Sequence, residues 1–166
     1  MNKTQVREFV ISRVFNATRE RLWKALTEDE ETAQWFGPKG ATTLSSKNDF
    51  RTGGMRLWAM KAADGLVMWG KWKYKEITPP SKLVFVNSFS DAQGGTTRHP
   101  LAASWPLELL TTMTLEEGGP GQTKFTVHWL PINPTEEEGK AFMAGFDSMK
   151  GGWGGTFERL EEFLSK

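Results

Sequence analysis

Few side chains in this chain can do chemistry near neutral pH. His99 and His128 are the only histidines, and there is no cysteine. Two imidazoles cannot build a histidine metal cluster, and without thiols there is neither a thiolate zinc site nor a disulfide framework. Carboxylate-bound metal is left open but unsupported, so no metal and no cofactor are expected. A serine nucleophile needs a base held in turn by a third group. The sequence places no carboxylate beside either histidine, and no Gly-x-Ser-x-Gly elbow occurs. His128 falls on the outward face of an alternating run with Lys124 and Thr126, as a surface histidine would. Catalytic residues are therefore unassigned, and a non-enzymatic role is favoured. Any chemistry would fall to Tyr74, Asn87 and Arg13, polar groups set among apolar ones, which could orient a substrate in a cyclase- or hydrolase-like reaction.

What the chain has in quantity is rings: eight tryptophans and eleven phenylalanines beside one tyrosine. Such residues bury large areas and often line apolar pockets. Trp72, Tyr74, Phe85, Phe89, Phe125 and Trp129 take the inward positions of alternating runs, and Phe146, Met149 and Trp153 would face them from a helix. Asn87 shares a face with Phe85 and Phe89, where a buried amide needs a hydrogen-bond partner, either neighbouring backbone or a bound polar group. These ten residues are the expected ligand-binding set. Asp91 to Pro106 has no period and suits a lid or a mobile loop, with Arg98, His99 and Trp105 at the mouth of a pocket.

The elements that must position these groups follow from periodicity and turn chemistry. Gln5 to Phe15 alternates as a strand with Phe9, Ile11 and Phe15 inward, and Arg13 on the same side with its stem packed. Thr18 opens a helix burying Leu22, Trp23 and Leu26, and Thr27 caps a second, acidic in its first turn, that stops at Trp35-Phe36-Gly37-Pro38. Extended runs follow: Ala41 to Ser46, Met55 to Lys61, Leu66 to Ile77, Lys82 to Ser90, Leu107 to Leu115 and Gln122 to Leu130. Gly53-Gly54, Asp64-Gly65, Thr78-Pro79-Pro80-Ser81 and the stretch from Glu116 to Gly121 make the turns. Lys71, Lys73 and Lys75 alternate with Trp72 and Tyr74, which gives a solvated face.

From Asn133 to Lys166 the apolar residues change to steps of three and four: Phe142, Phe146, Met149, Trp153, Phe157, Leu160 and Leu164 form one helical stripe. Asn133 as cap, Pro134 at the first position and Glu136 three residues after Asn133 make a capping box. Gly145 and Gly152 fall beside the stripe, where missing side chains permit close packing with a bend, or leave a cavity wall.

Twenty-one basic and twenty acidic residues nearly cancel, so no global field recruits nucleic acid or an anionic membrane. The polar opening carries no secretory signal and no run reaches membrane-spanning length, which implies a cytoplasmic protein. The length suits one domain over residues 1–166, as a monomer or homodimer. One strand, two helices, about six strands and a last helix imply an α+β fold, a curved antiparallel sheet gripping the C-terminal helix. A bent sheet and a straight helix cannot touch everywhere, and the gap is the expected site.

Two stretches resemble a known family. Phe9-Val10-Ile11-Ser12-Arg13-Val14-Phe15-Asn16-Ala17, Leu22-Trp23-Lys24-Ala25-Leu26-Thr27 and Gln34-Trp35-Phe36-Gly37-Pro38 are similar to the opening of proteins like the activator of heat-shock protein 90 ATPase. Gly152-Trp153-Gly154-Gly155-Thr156-Phe157-Glu158-Arg159-Leu160 is similar to their closing helix. The resemblance covers essentially the whole chain and implies the START-like, or SRPBCC, superfamily, whose helix-grip fold encloses a hydrophobic cavity. That superfamily includes lipid carriers, cyclases, oxygenase domains and co-chaperones, and the shared residues are structural, so no catalytic residue carries over. The leading expectation is a binding protein for a hydrophobic small molecule, aromatic or lipid-like. The alternatives are the enzyme described above and a chaperone regulator working through its surface.

Overall fold

The computed structural model describes residues 5–166. The polar opening up to Thr4, in which no signal is expected, lies outside them. In chain order the elements are β1 (Phe9–Phe15), α1 (Arg19–Thr27), α2 (Asp29–Trp35), β2 (Thr42–Asn48), β3 (Met55–Lys61), β4 (Val67–Thr78), β5 (Lys82–Ser90), β6 (Thr96–Thr97), β7 (Leu109–Gly119), β8 (Gln122–Pro131), α3 (Glu136–Ala144) and α4 (Phe146–Leu164). The strands form one eight-stranded antiparallel sheet in the order β1-β8-β7-β5-β4-β3-β2, with β6 paired to the end of β5. This is the α+β architecture read from the sequence, with two short helices after the first strand and a long C-terminal helix on the sheet.

Turn chemistry sets the register of the hairpins. Gly65 takes a positive φ of 92° while the Asp64 carboxylate accepts from the Leu66 N–H, and this aligns β3 with β4 over Met55 to Lys61. Between β7 and β8 the turn is tighter than the sequence suggests. Strand pairing continues through Glu116 and Glu117 to Gly119, and only Pro120-Gly121 is left to reverse the chain. A bulge at Lys75 interrupts the β4–β5 pairing between Tyr74 and Glu76.

The helices depart from expectation at their ends. Thr18 caps α1, accepting from the Arg21 N–H. Thr27 does not cap α2: its hydroxyl donates to the Trp23 carbonyl in the last turn of α1, and Glu28 takes the cap position. The capping box of the C-terminal segment lies two residues later than Asn133 and Glu136 suggest. Thr135 accepts from the Glu138 N–H, while the Glu138 carboxylate accepts from the Thr135 N–H. Asn133 instead adopts a positive φ of 45°, a conformation asparagine tolerates in turns. The single expected helix is two, because Gly145, at φ −88° and ψ 3°, leaves the helical basin between α3 and α4.

The core lies between α4, α1 and the sheet. At one end it is solid: Phe157 and Leu160 of α4, Leu22 and Leu26 of α1, and Phe15 and Phe125 of the sheet are all buried. Phe15 meets Phe157 edge-on at 5.6 Å, and Phe125 meets the same ring at 5.5 Å. Arg13 behaves as an edge residue, its guanidinium 5.6 Å from the Phe157 ring centre and 3.6 Å from Glu161. Among the described residues no helix is long and apolar enough to cross a membrane.

Candidate ligand-binding cavity

Filling one end of the sheet with α1 and the C-terminal half of α4 leaves the other end uncovered. There α4 begins, and together with Gly145 just before it the helix contributes Ser148, Met149, Gly152, Trp153 and Thr156. A Cβ placed on Gly152 would meet nothing within 4 Å. A cavity of about 490 Å³ results, within the range of ligand sites, and its sheet wall is built from residues of β3, β4, β5, β7 and β8. Trp58, Trp72, Phe85, Phe89, Met113 and Trp129 are the large members of that wall.

Two loops add to the walls. Phe36, Gly37 and Pro38 are held against α4 by Arg159, whose guanidinium donates to all three carbonyls at 3.1 to 3.2 Å. Gly37 has a φ of 99°, and a Cβ there would sit 2.6 Å from the Met60 sulfur, so the close approach that brings Phe36 to the cavity requires glycine. Phe36 then meets Trp72 edge-on at 5.2 Å. The segment between β5 and β7 is more ordered than its lack of period suggests. The Asp91 carboxylate accepts from the Gln93 and Gly95 N–H groups, Thr96 and Thr97 pair with β5, and the chain then crosses the cavity mouth. His99 packs on Phe89 at 4.7 Å and Trp105 on Phe142 at 5.7 Å. Arg98 latches the segment down, donating to the Trp105 carbonyl and pairing with Glu138 at the start of α3.

The polar groups of this lining are few and uncharged. Asn87 accepts a hydrogen bond from the Thr111 hydroxyl, a side-chain partner rather than the backbone one considered above. The Trp58 indole N–H and the Ser88 hydroxyl are buried with no partner. His99 accepts from the Leu101 N–H at its Nδ1, 3.0 Å away, and burial pushes its pKa below the ordinary histidine value. The ring is thus neutral near pH 7, with its proton on Nε2. No Asp, Glu, Lys or Arg is among the residues lining the cavity. Among the described residues no group of three or more acidic or histidine side chains is placed to hold a metal.

Of the residues expected to meet a ligand, Trp72, Phe85, Asn87, Phe89, Trp129, Met149 and Trp153 are brought together around the cavity, with His99 and Trp105 at its mouth. Tyr74, Phe125, Phe146 and Arg98 are not. Tyr74 lies deeper along β4, its hydroxyl donating to Asn48 at 2.7 Å, and burial pushes its pKa up to about 12. Phe125 belongs to the solid end of the core. Phe146, the first residue of α4, packs against Phe9 and, across the helix break, Phe142, and Arg98 turns away to Glu138. His128, expected without a carboxylate, pairs with Glu8, but this couple sits outside the cavity lining. The sequence reading missed Trp58, although the alternation of Met55 to Lys61 puts it on one face with Arg56 and Met60. It also missed Phe36, Leu109 and Met113.

The family model described as Activator of Hsp90 ATPase homolog 1-like protein matches residues 16–165. Among curated proteins none is significantly similar to the chain. Solved structures are similar over nearly the full length. A protein from Mycobacterium smegmatis is 18% identical, covering 98% of this chain and 97% of its own, with a TM-score of 0.75. One from Nitrosomonas europaea is 23% identical over 95% and 94%, with a TM-score of 0.72. The AHSA1 protein from Silicibacter pomeroyi is 16% identical over 96% and 98%, with a TM-score of 0.69. At these identities the likeness establishes the shared fold.

Proposed function

Since the chain belongs to the family of activator of Hsp90 ATPase homolog 1-like proteins, whose described membership does not itself name a ligand, we propose from the cavity that it is a small-molecule binding protein. Its ligand is apolar, aromatic or lipid-like and sits between the sheet and the N-terminal half of α4. The observation that carries this reading is the 490 Å³ space walled by Trp58, Trp72, Phe89, Trp129 and Trp153. Apolar burial supplies about 25 cal/mol per Å² before ordering costs, so binding of such a ligand needs no catalytic machinery.

An enzymatic reading finds less support. Of the three groups that could orient a substrate, Tyr74 is bonded to Asn48, Arg13 is paired with Glu161, and only Asn87 lines the cavity. A chaperone-regulating role draws support from the family description alone.

The test is native mass spectrometry of the purified protein together with titration by an environment-sensitive hydrophobic dye. Co-purified mass or saturable dye binding at one site per chain is expected, with loss of binding when Met149 or Met113 is enlarged to tryptophan. A protein that takes up neither ligand nor dye is not a carrier.

A further inference from the structure

We propose that the occupant of this cavity is an uncharged ring compound with a hydrogen-bond acceptor, a carbonyl or equivalent oxygen, received by the N–H groups of Trp58 and Asn87. This rests on the carrier reading above and narrows it to a ligand class.

The Trp58 indole is the starting point. A tryptophan N–H can only donate, and this one is buried without a partner in a residue that lines the cavity. Its position is imposed by Gly70, its register partner on β4. A Cβ on Gly70 would lie 2.1 Å from the indole ring, so the missing side chain lets the ring lie across β4, the neighbour of β5. Buried donors are satisfied in the great majority of native sites, and an orphan donor on a residue that lines a cavity points to a partner that arrives with the occupant.

Asn87, on β5, supplies the second donor. The Thr111 hydroxyl, itself fully buried, donates to the Asn87 side-chain oxygen, which leaves the amide nitrogen without that partner. The amide nitrogen, two N–H groups, has no partner among the described residues and belongs to the cavity lining. His99 adds a third donor at the mouth, because the Leu101 N–H occupies its Nδ1 and leaves the proton on Nε2. The Thr156 hydroxyl donates its proton to the Gly152 carbonyl at 3.0 Å and so offers the cavity no further donor. With no charged side chain in the lining, an ionised group entering this space would lose its hydration without an opposite charge. The remaining walls are ring faces and edges, which favour a flat occupant.

A matched pair of probes separates this from simple burial: fluorene and 9-fluorenone share a skeleton and differ in a methylene against a carbonyl. Titrated by quenching of tryptophan fluorescence, fluorenone binds at least about fivefold tighter, the effect of one neutral hydrogen bond made to an otherwise unpaired donor. Trp58→Phe and Asn87→Leu each bring that ratio toward one, and fluorene-9-carboxylate binds more weakly than fluorene. As a readout that needs no variant, the carbonyl stretch of bound fluorenone moves to lower wavenumber than in hexane. Equal affinities of the pair, an unshifted carbonyl, or a carboxylate that binds as well as fluorene overturn the ligand class and leave the carrier reading standing. If neither compound nor the hydrophobic dye binds, the carrier reading falls and takes this inference with it.

Discussion

The guanidinium of Arg56 lies over the indole of Trp72, 4.8 Å from the ring centre, inside the protein. Arg56 comes from β3 on one side of β4, and Phe85, from β5 on the other, stacks on the same indole at 4.2 Å. One ring thus joins a buried cation to the cavity wall. The cation in turn holds the junction of α1 and α2: it pairs with Asp29 at 3.0 Å and donates to the Thr27 carbonyl and the Thr32 hydroxyl. Asp29 also accepts from Ser46, and Asn48 donates to the Thr27 carbonyl, so the junction is tied to β2 as well.

Removing Arg56 should therefore cost stability and disturb the site together. Arg56→Ala leaves Asp29 without its cation and opens a void beside Trp72, for an expected loss of roughly 3 to 5 kcal/mol. Arg56→Met keeps most of the volume and costs about half as much, since Asp29 is one-third exposed and can be hydrated. Urea unfolding gives both numbers, and dye affinity reports on Trp72. If Arg56→Ala unfolds within about 1 kcal/mol of the wild type, the brace assigned to this residue is wrong.

The latch over the cavity mouth predicts a kinetic effect with little thermodynamic one. Arg98 is half-exposed, and ion pairs of that kind contribute about 0 to 1 kcal/mol. Arg98→Ala should leave the melting temperature nearly unchanged, because Glu138 keeps its capping-box bond to Thr135. It frees the segment that carries His99 and Trp105, so dissociation of a bound dye should accelerate several-fold and amide exchange across residues 98–106 should rise. Unchanged dissociation would mean that the mouth opens elsewhere.

Acid should weaken the same region. The Thr135 N–H and the Arg98 guanidinium hold the Glu138 carboxyl below the usual glutamate range. A depressed folded pKa means the contribution is fully present above the unfolded value of about 4.5 and is lost as pH falls through the folded value. His99 acts in the same sense at higher pH, since burial lowers its pKa and protonation below about 6.5 is disfavoured in the folded state. Thermal unfolding from pH 7 to pH 3 should show wild type losing stability more steeply below pH 4.5 than Glu138→Gln, whose amide oxygen preserves the cap. Parallel curves for the two proteins would remove Glu138 from the account. A His99→Gln variant should flatten the shallower slope between pH 5 and 6.5.

How far the sequence carries toward this site depends on which coordinate is asked for. Alternation decides which face a strand residue takes, and Trp72, Phe85, Asn87, Phe89 and Trp129 were assignable on that ground. It does not decide the level along the strand at which the covering helix departs from the sheet. Tyr74 and Phe125 have the expected inward orientation yet lie where Phe50, Phe15 and Phe157 fill the space. The helix break was hidden for a similar reason: Phe142 and Phe146 keep the spacing of one stripe and their rings meet at 5.4 Å across Gly145. Strand limits were most legible where turn residues flank them, as at Met55–Lys61 and Lys82–Ser90. Lid contacts such as Arg98 with Glu138 join residues 40 apart and leave no local signal.

The glycines of α4 give a prediction in which stability and binding move in opposite directions. Gly151 and Gly152 are both mid-helix, and a Cβ on either meets nothing within 4 Å. Replacing glycine by a good helix former at such a position stabilises by up to about 1 kcal/mol. Only Gly152 lines the cavity. Gly151→Leu and Gly152→Leu should thus both raise the urea midpoint, while dye affinity is unchanged in the first and falls at least about tenfold in the second, as its side chain takes up the space between helix and sheet. Gly152 is then a position where helix stability is given up to keep the cavity open. A Gly152→Leu protein that binds dye as tightly as the wild type would place the bound molecule away from the start of α4, and with it the whole account of the site.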